Sequence, residues 1–191
     1  LVKGITGKKT RGIYQIGNII QTKWQARLEE HLGFFTSELE ESISAYILSD
    51  KIRLLALSSA CNLLEECLAE RESVEAIYDN FYNFLLHLKN DSFWQSYYIF
   101  LELDLLTDLG FGLDLESCAA TGITDNLVFV SPKSGRAVCL DAGLPYEKKL
   151  LKLPEFIKNR NFLQINNQDI NNGLALSGYF LNKYLFKTNR R

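Results

Sequence analysis

The sequence predicts an α+β fold: a short β-rich portion over residues 1–48, then a mainly α-helical domain over residues 49–191 with a β-hairpin insert at about residues 111–144. Three observations predict it. Up to residue 48, apolar side chains partly alternate with polar ones, the period of a half-buried strand. From Ser49 they recur at i, i+3 and i+4, the period of a helix. Between residues 111 and 144 the helical period lapses, and two short apolar runs flank a Pro/Gly turn. At 191 residues and 47% hydrophobic composition, the chain is long and apolar enough to build a core and is not disordered by composition.

In the first portion, Ile20, Trp24 and Ala26 alternate with Gln21, Lys23, Gln25 and Arg27. Gly4, Gly7, Gly12 and Gly17 punctuate turns, Gly33 suits a hairpin turn, and FFTSEL is the return strand. Two or three strands make a poor independent sheet, so this portion reads as part of a small β-domain whose opening strands are absent. The sequence has no methionine, which gives the same expectation: Leu1 is not the translated start and the chain is truncated there.

The first long helix begins at Ser49 or Asp50, either of which can cap it. Ile52, Leu55, Ala60, Leu63, Leu64, Cys67 and Leu68 form its expected apolar face. A second helix follows Ser73, with Val74, Ile77, Tyr78, Phe81, Leu85 and Leu88 inward. A third opens at Asp91 or Ser92 and stops at Gly110, with Phe93, Tyr97, Phe100, Leu101, Leu105 and Leu109 inward. Its aromatics are read as core packing and not as a cofactor box. Leu127–Val130 and Arg136–Leu140 are the insert's two strands, joined by SPKSG. Residues 154–160 suit a short helix with proline in its first turn. The last helix, DINNGLALSGYFLNKYLF, turns Ile170, Leu174, Ser177, Leu181, Tyr184 and Leu185 to one side. Gly173 and Gly178 imply close packing at those points.

A formal net charge of −2 hides a strong asymmetry. Residues 1–27 carry Lys3, Lys8, Lys9, Arg11, Lys23 and Arg27 and no carboxylate, a charge of +6; residues 28–127 carry −15 and residues 128–191 carry +7. Salt screens charges beyond about 8–10 Å, so the basic ends can hold a polyanion while the middle repels one. No apolar run reaches the ~18 residues of a membrane span. The opening residues lack an apolar signal core, so secretion is unsupported.

Catalytic signatures are missing. The two histidines, His31 and His87, lie 56 positions apart and neither belongs to a nucleophile elbow. Glu65 and Glu66 are helix neighbours that point apart. GITGKKT lacks the glycine spacing of a phosphate loop, and the GITG of a KH loop would have to join two helices where the flanks read as strands. No enzyme activity is expected. Cys61 and Cys67 read as small apolar groups on a helix. Cys118 and Cys139 are followed at +3 by Thr121 and Ala142, which leaves half of a two-CxxC zinc site. No metal or other cofactor is therefore expected, and four thiols without a secretion signal fit a reducing cytoplasm.

The run LGFGLDLESCAATGITDNLVFVSPKSGRAVCLDAGLPYEKKLLKLPEF (109–156) closely resembles the bacterial RecO family of DNA repair proteins. So do LVKG (1–4), IGNIIQTKWQARLEEHLGFF (16–35) and GLALSGYFL (173–181). The resemblance implies an N-terminal OB-fold, begun upstream of Leu1, joined to a helical domain with a zinc-ribbon-like insert. It implies binding of single- and double-stranded DNA, annealing of strands, partnership with RecR and the single-strand-binding protein SSB, and help in loading the RecA recombinase, without catalysis. Where zinc-binding members carry CxxC twice, Thr121 and Ala142 replace two ligands here. The ribbon is thus degenerate and is expected to hold by packing of Leu127, Phe129, Val138 and Leu140. On this reading Lys3, Lys8, Lys9, Arg11, Lys23 and Arg27 lie on or near the DNA-binding face, and Lys133 and Arg136 in the hairpin extend it. Trp24 either stacks on bases or fills the barrel core, and core filling is the expectation. The rival reading is an interaction scaffold with little DNA affinity. Its SSB or RecR docking site would draw positive charge from Lys148, Lys149, Lys152, Lys158 and Arg160.

Overall fold

A computed structural model describes residues 7–28, 32–69, 74–160, 162 and 165–186. Among the described residues the fold is mixed α and β: helices with two small antiparallel sheets. It divides into two compact units, residues 1–70 with Leu88–Asn90, and residues 71–87 with 91–191. The change of period expected at residue 48 falls inside the first unit, which keeps the first long helix with the strands.

The first unit opens with a correction. Residues expected to be strand and turn form a helix, α1 (Lys8–Ile13). Asn18 holds its end: the side-chain amide donates to the carbonyls of Gly12 at 2.9 Å and Ile13 at 3.2 Å, satisfying acceptors that a short helix leaves open. Gly17, at φ +86°, then turns the chain into the sheet, and a Cβ there would meet Leu57 at 2.6 Å. Strands β1 (Asn18–Gln25) and β2 (Phe34–Ser42) pair antiparallel, with a bulge opposite Ile19 and Ile20. In helix α2 (Ile43–Ile47), Ile43 and Ile47 are fully buried, and the Ser44 hydroxyl donates to Asn18 Oδ1 at 2.8 Å. One asparagine thus ties α1, the strand pair and α2 together.

Helix α3 (Lys51–Cys67) starts where Asp50 accepts from the amides of Ile52 and Arg53, which with the Arg53 guanidinium lower the Asp50 carboxyl. Its buried face is Leu57, Ala60 and Leu63. Ile52 and Leu55, expected inside, are 67% and 70% exposed. Leucines and alanines lie nearly all round this helix, so periodicity alone does not choose a face.

In the second unit, α4 (Glu75–Asn90) buries Ile77, Phe84 and Leu85, while Tyr78 points outward. Helix α5 (Trp94–Asp108) is covered on almost every side: Trp94, Tyr98, Ile99, Leu101, Leu105 and Leu106 are all buried. Phe93, expected inside, instead precedes the helix, half-exposed, its amide bonded to Asp91. Gly110 ends α5 at φ +83° in a Schellman turn, with Gly110 N–H on Thr107 O and Phe111 N–H on Leu106 O. Strands β3 (Leu127–Val130) and β4 (Ala137–Cys139) form the expected hairpin. Helix α6 (Leu140–Gly143) and a 3₁₀ turn over Leu144–Lys149 lead to β5 (Leu151–Lys152), an edge strand that extends the sheet to the order β4-β3-β5. Helices α7 (Glu155–Asn159) and α8 (Asn167–Leu181) complete the unit, α8 opening on an Asn166/Asp169 capping box.

Helix α8 packs on α5, and its two glycines differ. A Cβ at Gly173 would meet Ile99 Cδ1 at 2.8 Å and Phe156 Cζ at 3.2 Å, as close packing requires. At Gly178 nothing lies within 4 Å, so the expected tight packing is absent. Gly178→Ala should therefore stabilise by up to about 1 kcal/mol through helix propensity. Gly173→Ala should destabilise by about 1–3 kcal/mol through overpacking. Urea melts of the two variants should move in opposite directions.

Below Gly173, the Ser177 hydroxyl donates to the buried Glu102 carboxyl. Burial pushes that carboxyl up, against the hydrogen bonds from Ser177 and Tyr98. The folded chain then holds the proton more tightly than the unfolded chain, so stability falls as pH rises from the ordinary carboxylate range through the raised value. Glu102→Gln should accordingly raise the melting midpoint at neutral pH and lose that advantage at pH ~3, where both states are protonated. Equal shifts at both pH values would count against a carboxyl raised by burial in the folded state.

Candidate nucleic-acid interface

The six basic residues of the segment 1–27 occupy three settings. Lys3 lies outside the described residues. Lys8 and Lys9 fall on α1, although their side chains also lie outside them; Arg11 is exposed in the last turn of α1. Lys23 is exposed on β1, and Arg27 is exposed just beyond it. Residues directly opposed across antiparallel strands share a face. Ile20 and Leu39, Thr22 and Ser37, and Trp24 and Phe35 therefore form one face. Gln21 and Glu38, Lys23 and Thr36, and Gln25 and Phe34 form the other. Lys23 and Trp24, neighbours in sequence, point opposite ways.

The face with Trp24 is open to solvent. Trp24 is 46% exposed, Phe35 42% and Leu39 44%. The expectation that Trp24 fills a core is thus corrected: its indole rests against Gly33 and nearly half of the residue stays in solvent. On the same face Ser37 accepts a hydrogen bond from Tyr14, the residue that ends α1. The basic helix therefore borders a cross-strand aromatic pair. No motif in the sequence singles out Phe35 or Tyr14, although Phe35, Ser37 and Leu39 share the period of two.

The charge pattern is also sharper in three dimensions. Strand β2 sets Glu38, Glu40 and Glu41 beside the acid-free β1. Glu41 is engaged by Lys89, whereas Glu38 sits diagonal to Lys23. Part of the +6 counted along the chain is therefore offset across the sheet.

In the second unit, Lys133 is exposed in the turn between β3 and β4. Arg136 is only half-exposed and its Nε donates to Asp114 Oδ2 at 2.8 Å, which diverts it from a phosphate. Beneath this hairpin the Cys118 and Cys139 sulfurs are 3.4 Å apart, and the Thr121 hydroxyl is 3.7 Å from Cys139 Sγ. Burial pushes the Cys118 thiol up, but hydrogen bonds from the Cys139 amide, the Thr121 hydroxyl and the Ala120 and Thr121 amides bring it down to about 6. Thr121 and Ala142 supply neither a third nor a fourth soft donor, so the residues present do not fit a tetrahedral structural zinc.

The second unit also holds a cavity of about 310 Å³. Its walls include the stacked rings of His87 and Tyr97, centroids 3.5 Å apart, with Phe162 stacked on Tyr97 at 5.2 Å. Arg160, in the left-handed region at φ +49°, lies over Phe100 and bonds Asp104 at 2.8 Å. Burial raises the Asp104 carboxyl, and the guanidinium opposes that. Of the other C-terminal bases, Lys152 pairs with Glu147 and Lys158 with Glu155, while Lys148 and Lys149 are exposed.

Among the described residues no helix is long and apolar enough to cross a membrane. A family model described as Recombination protein O C terminal matches residues 48–191. The chain is 46% identical over 178 residues to a DNA repair protein RecO of Wolbachia pipientis subsp. Culex pipiens, covering 91% of this chain and 74% of that relative. It is 44% identical over 188 residues to a DNA repair protein RecO of Rhodospirillum centenum, covering 97% and 74%. A Rickettsia conorii DNA repair protein RecO is 41% identical over 184 residues, covering 96% and 77%.

Proposed function

This chain belongs to the RecO family of DNA repair and recombination proteins, and we propose that it is a non-enzymatic, DNA-binding recombination mediator of the cytoplasm. On this reading it binds single- and double-stranded DNA, anneals complementary strands and, with RecR, helps load the RecA recombinase. The observation that carries the reading is the exposed Trp24–Phe35 pair, whose sheet face is bonded through Ser37 to Tyr14 at the end of α1. Aromatic rings give bases a sequence-tolerant stacking surface, and lysines and arginines neutralise the phosphates beside it. We take β1 and β2 as strands of an OB-fold and the β4-β3-β5 sheet as a zinc-ribbon-like insert without its metal. Lys133 is the hairpin's remaining candidate phosphate contact.

The test is single-stranded DNA affinity of Trp24→Ala. Loss of one stacked base costs about 1–3 kcal/mol, roughly 5- to 150-fold. The melting midpoint should hold, because the indole is half in solvent. Unchanged affinity would remove the stacking surface from the mechanism.

A second reading is favoured by the cavity beside Arg160. SSB-type tails end in acidic and apolar residues, and this cavity offers aromatic walls with a guanidinium at its rim. Docking of SSB there, and of RecR elsewhere, would make the chain a scaffold. Tail-peptide binding by a protein that shows no salt-sensitive DNA binding would select the scaffold over the mediator.

A further inference from the structure

We propose that Cys118 and Cys139 are a redox modification site, a dithiol that closes to an intramolecular disulfide and does for this insert what a bound metal does for a zinc ribbon. The two residues come from separate pieces of chain, the loop before β3 and the end of β4, yet their sulfurs are 3.4 Å apart. Closing the bond needs an approach of about 1.3 Å to the normal S–S length.

The backbone already holds both partners in register. The Cys139 amide donates to Cys118 Sγ at 3.3 Å. Ala119 N–H donates to Ala137 O at 2.8 Å, which fastens the loop to β4. Cys118 N–H reaches Ile123 O at 2.7 Å and Gly122 N–H reaches Cys118 O at 2.8 Å, closing the loop on itself with Gly122 at φ +77°. Both thiols are buried, at 1% and 2% exposure, but only under one turn of chain, because Ala119, Ala120, Thr121 and Gly122 are all exposed. A small oxidant therefore needs only a local opening of that turn to reach them. Cys61 and Cys67 make no such pair, being six residues apart on one helix.

The oxidant class is a peroxide. The Cys118 thiolate attacks one peroxide oxygen, forming S–O as O–O breaks, and the released hydroxide takes up a proton as water. Cys139 sulfur then attacks Cys118 sulfur, forming S–S as S–O breaks, and the leaving hydroxyl departs as water with the Cys139 proton. Two thiols lose two electrons and two protons, and hydrogen peroxide becomes two waters. A dithiol reductant reverses the crosslink by exchange.

The experiment treats the full chain with hydrogen peroxide, blocks remaining thiols and maps the peptides by mass. The expected result is a peptide pair joined through Cys118 and Cys139, lighter by two hydrogens, regenerated by dithiothreitol, with a higher melting midpoint for the oxidised chain. Cys139→Ser should lose the crosslink and leave Cys118 trappable as a sulfenic acid. The proposal falls if both cysteines remain fully blockable, if Cys118 overoxidises with no link, if the link joins two chains, or if the purified protein carries one zinc per chain that shields the pair.

Discussion

Charge reversal of Lys8, Lys9 and Arg11 together should weaken single-stranded DNA binding at least tenfold at low salt and flatten its salt dependence. Each phosphate that is no longer neutralised lowers the slope of log affinity against log salt by about 0.7 on single strands, so three such residues predict a change of about 2. The structure sets these positions apart. They lie on α1, whose C-cap residue Tyr14 is bonded to the face that carries Trp24 and Phe35. Among the described residues no carboxylate pairs with Arg11, whereas Lys23 lies diagonal to Glu38 and Arg136 is held by Asp114. Lys23→Glu and Arg136→Glu alone should therefore have smaller effects on binding. Filter binding or anisotropy across a salt series measures both quantities. An unaltered slope in the triple variant would take α1 out of the interface.

The features legible in the sequence are those written locally. Asp50 caps α3 because its carboxylate reaches amides two and three residues on. Gly110 ends α5 because the Schellman turn needs a positive φ. The hairpin over residues 127–139 follows from apolar runs around a Pro/Gly turn. What escapes a sequence reading depends on partners distant in the chain. Helix α1 is six residues long, below any reliable periodicity, and is secured by Asn18 from outside. Strand β5 has two residues and exists because β3 has a free edge. Which face of α3 is buried follows from what it packs against, since apolar residues surround it.

The same divide runs through the candidate site. The basic stretch is visible in the sequence, but its partial neutralisation by Glu38 is a cross-strand effect that a running charge count misses. Trp24 is visible as a residue, but its exposure is not, because strand alternation does not tell the core face of a sheet from the open one. The cavity wall assembles α4, α5 and the segment around Arg160, so no local motif announces it. In the sequence Cys118 and Cys139 read only as the remains of a metal site; that their sulfurs touch is a property of the fold.

Phe129→Ala should be the most destabilising single change in the hairpin insert, by about 3–5 kcal/mol. Phe129 lies on β3, the middle strand of the sheet, at 1% exposure. Gly143 is pressed against its ring, where a Cβ would meet Cδ2 at 2.3 Å, and the Lys152 ammonium lies 4.6 Å from the ring centroid. Apolar packing around this ring supports the insert, and the two thiols beneath it do not by themselves make a four-donor metal site that would offset its loss. The melting midpoint should fall by roughly 10 °C, and added zinc should not restore it. Gly143→Ala attacks the same packing from the other side and should cost about 1–3 kcal/mol, because the ring cannot retreat from a packed core. The two changes share one space: with Phe129 truncated, the added methyl occupies room the ring has vacated. The double variant should therefore be less destabilised than the sum of the singles, with a coupling energy above about 0.5 kcal/mol. Strict additivity, or recovery of Phe129→Ala by zinc, would mean that something other than this ring holds the insert together.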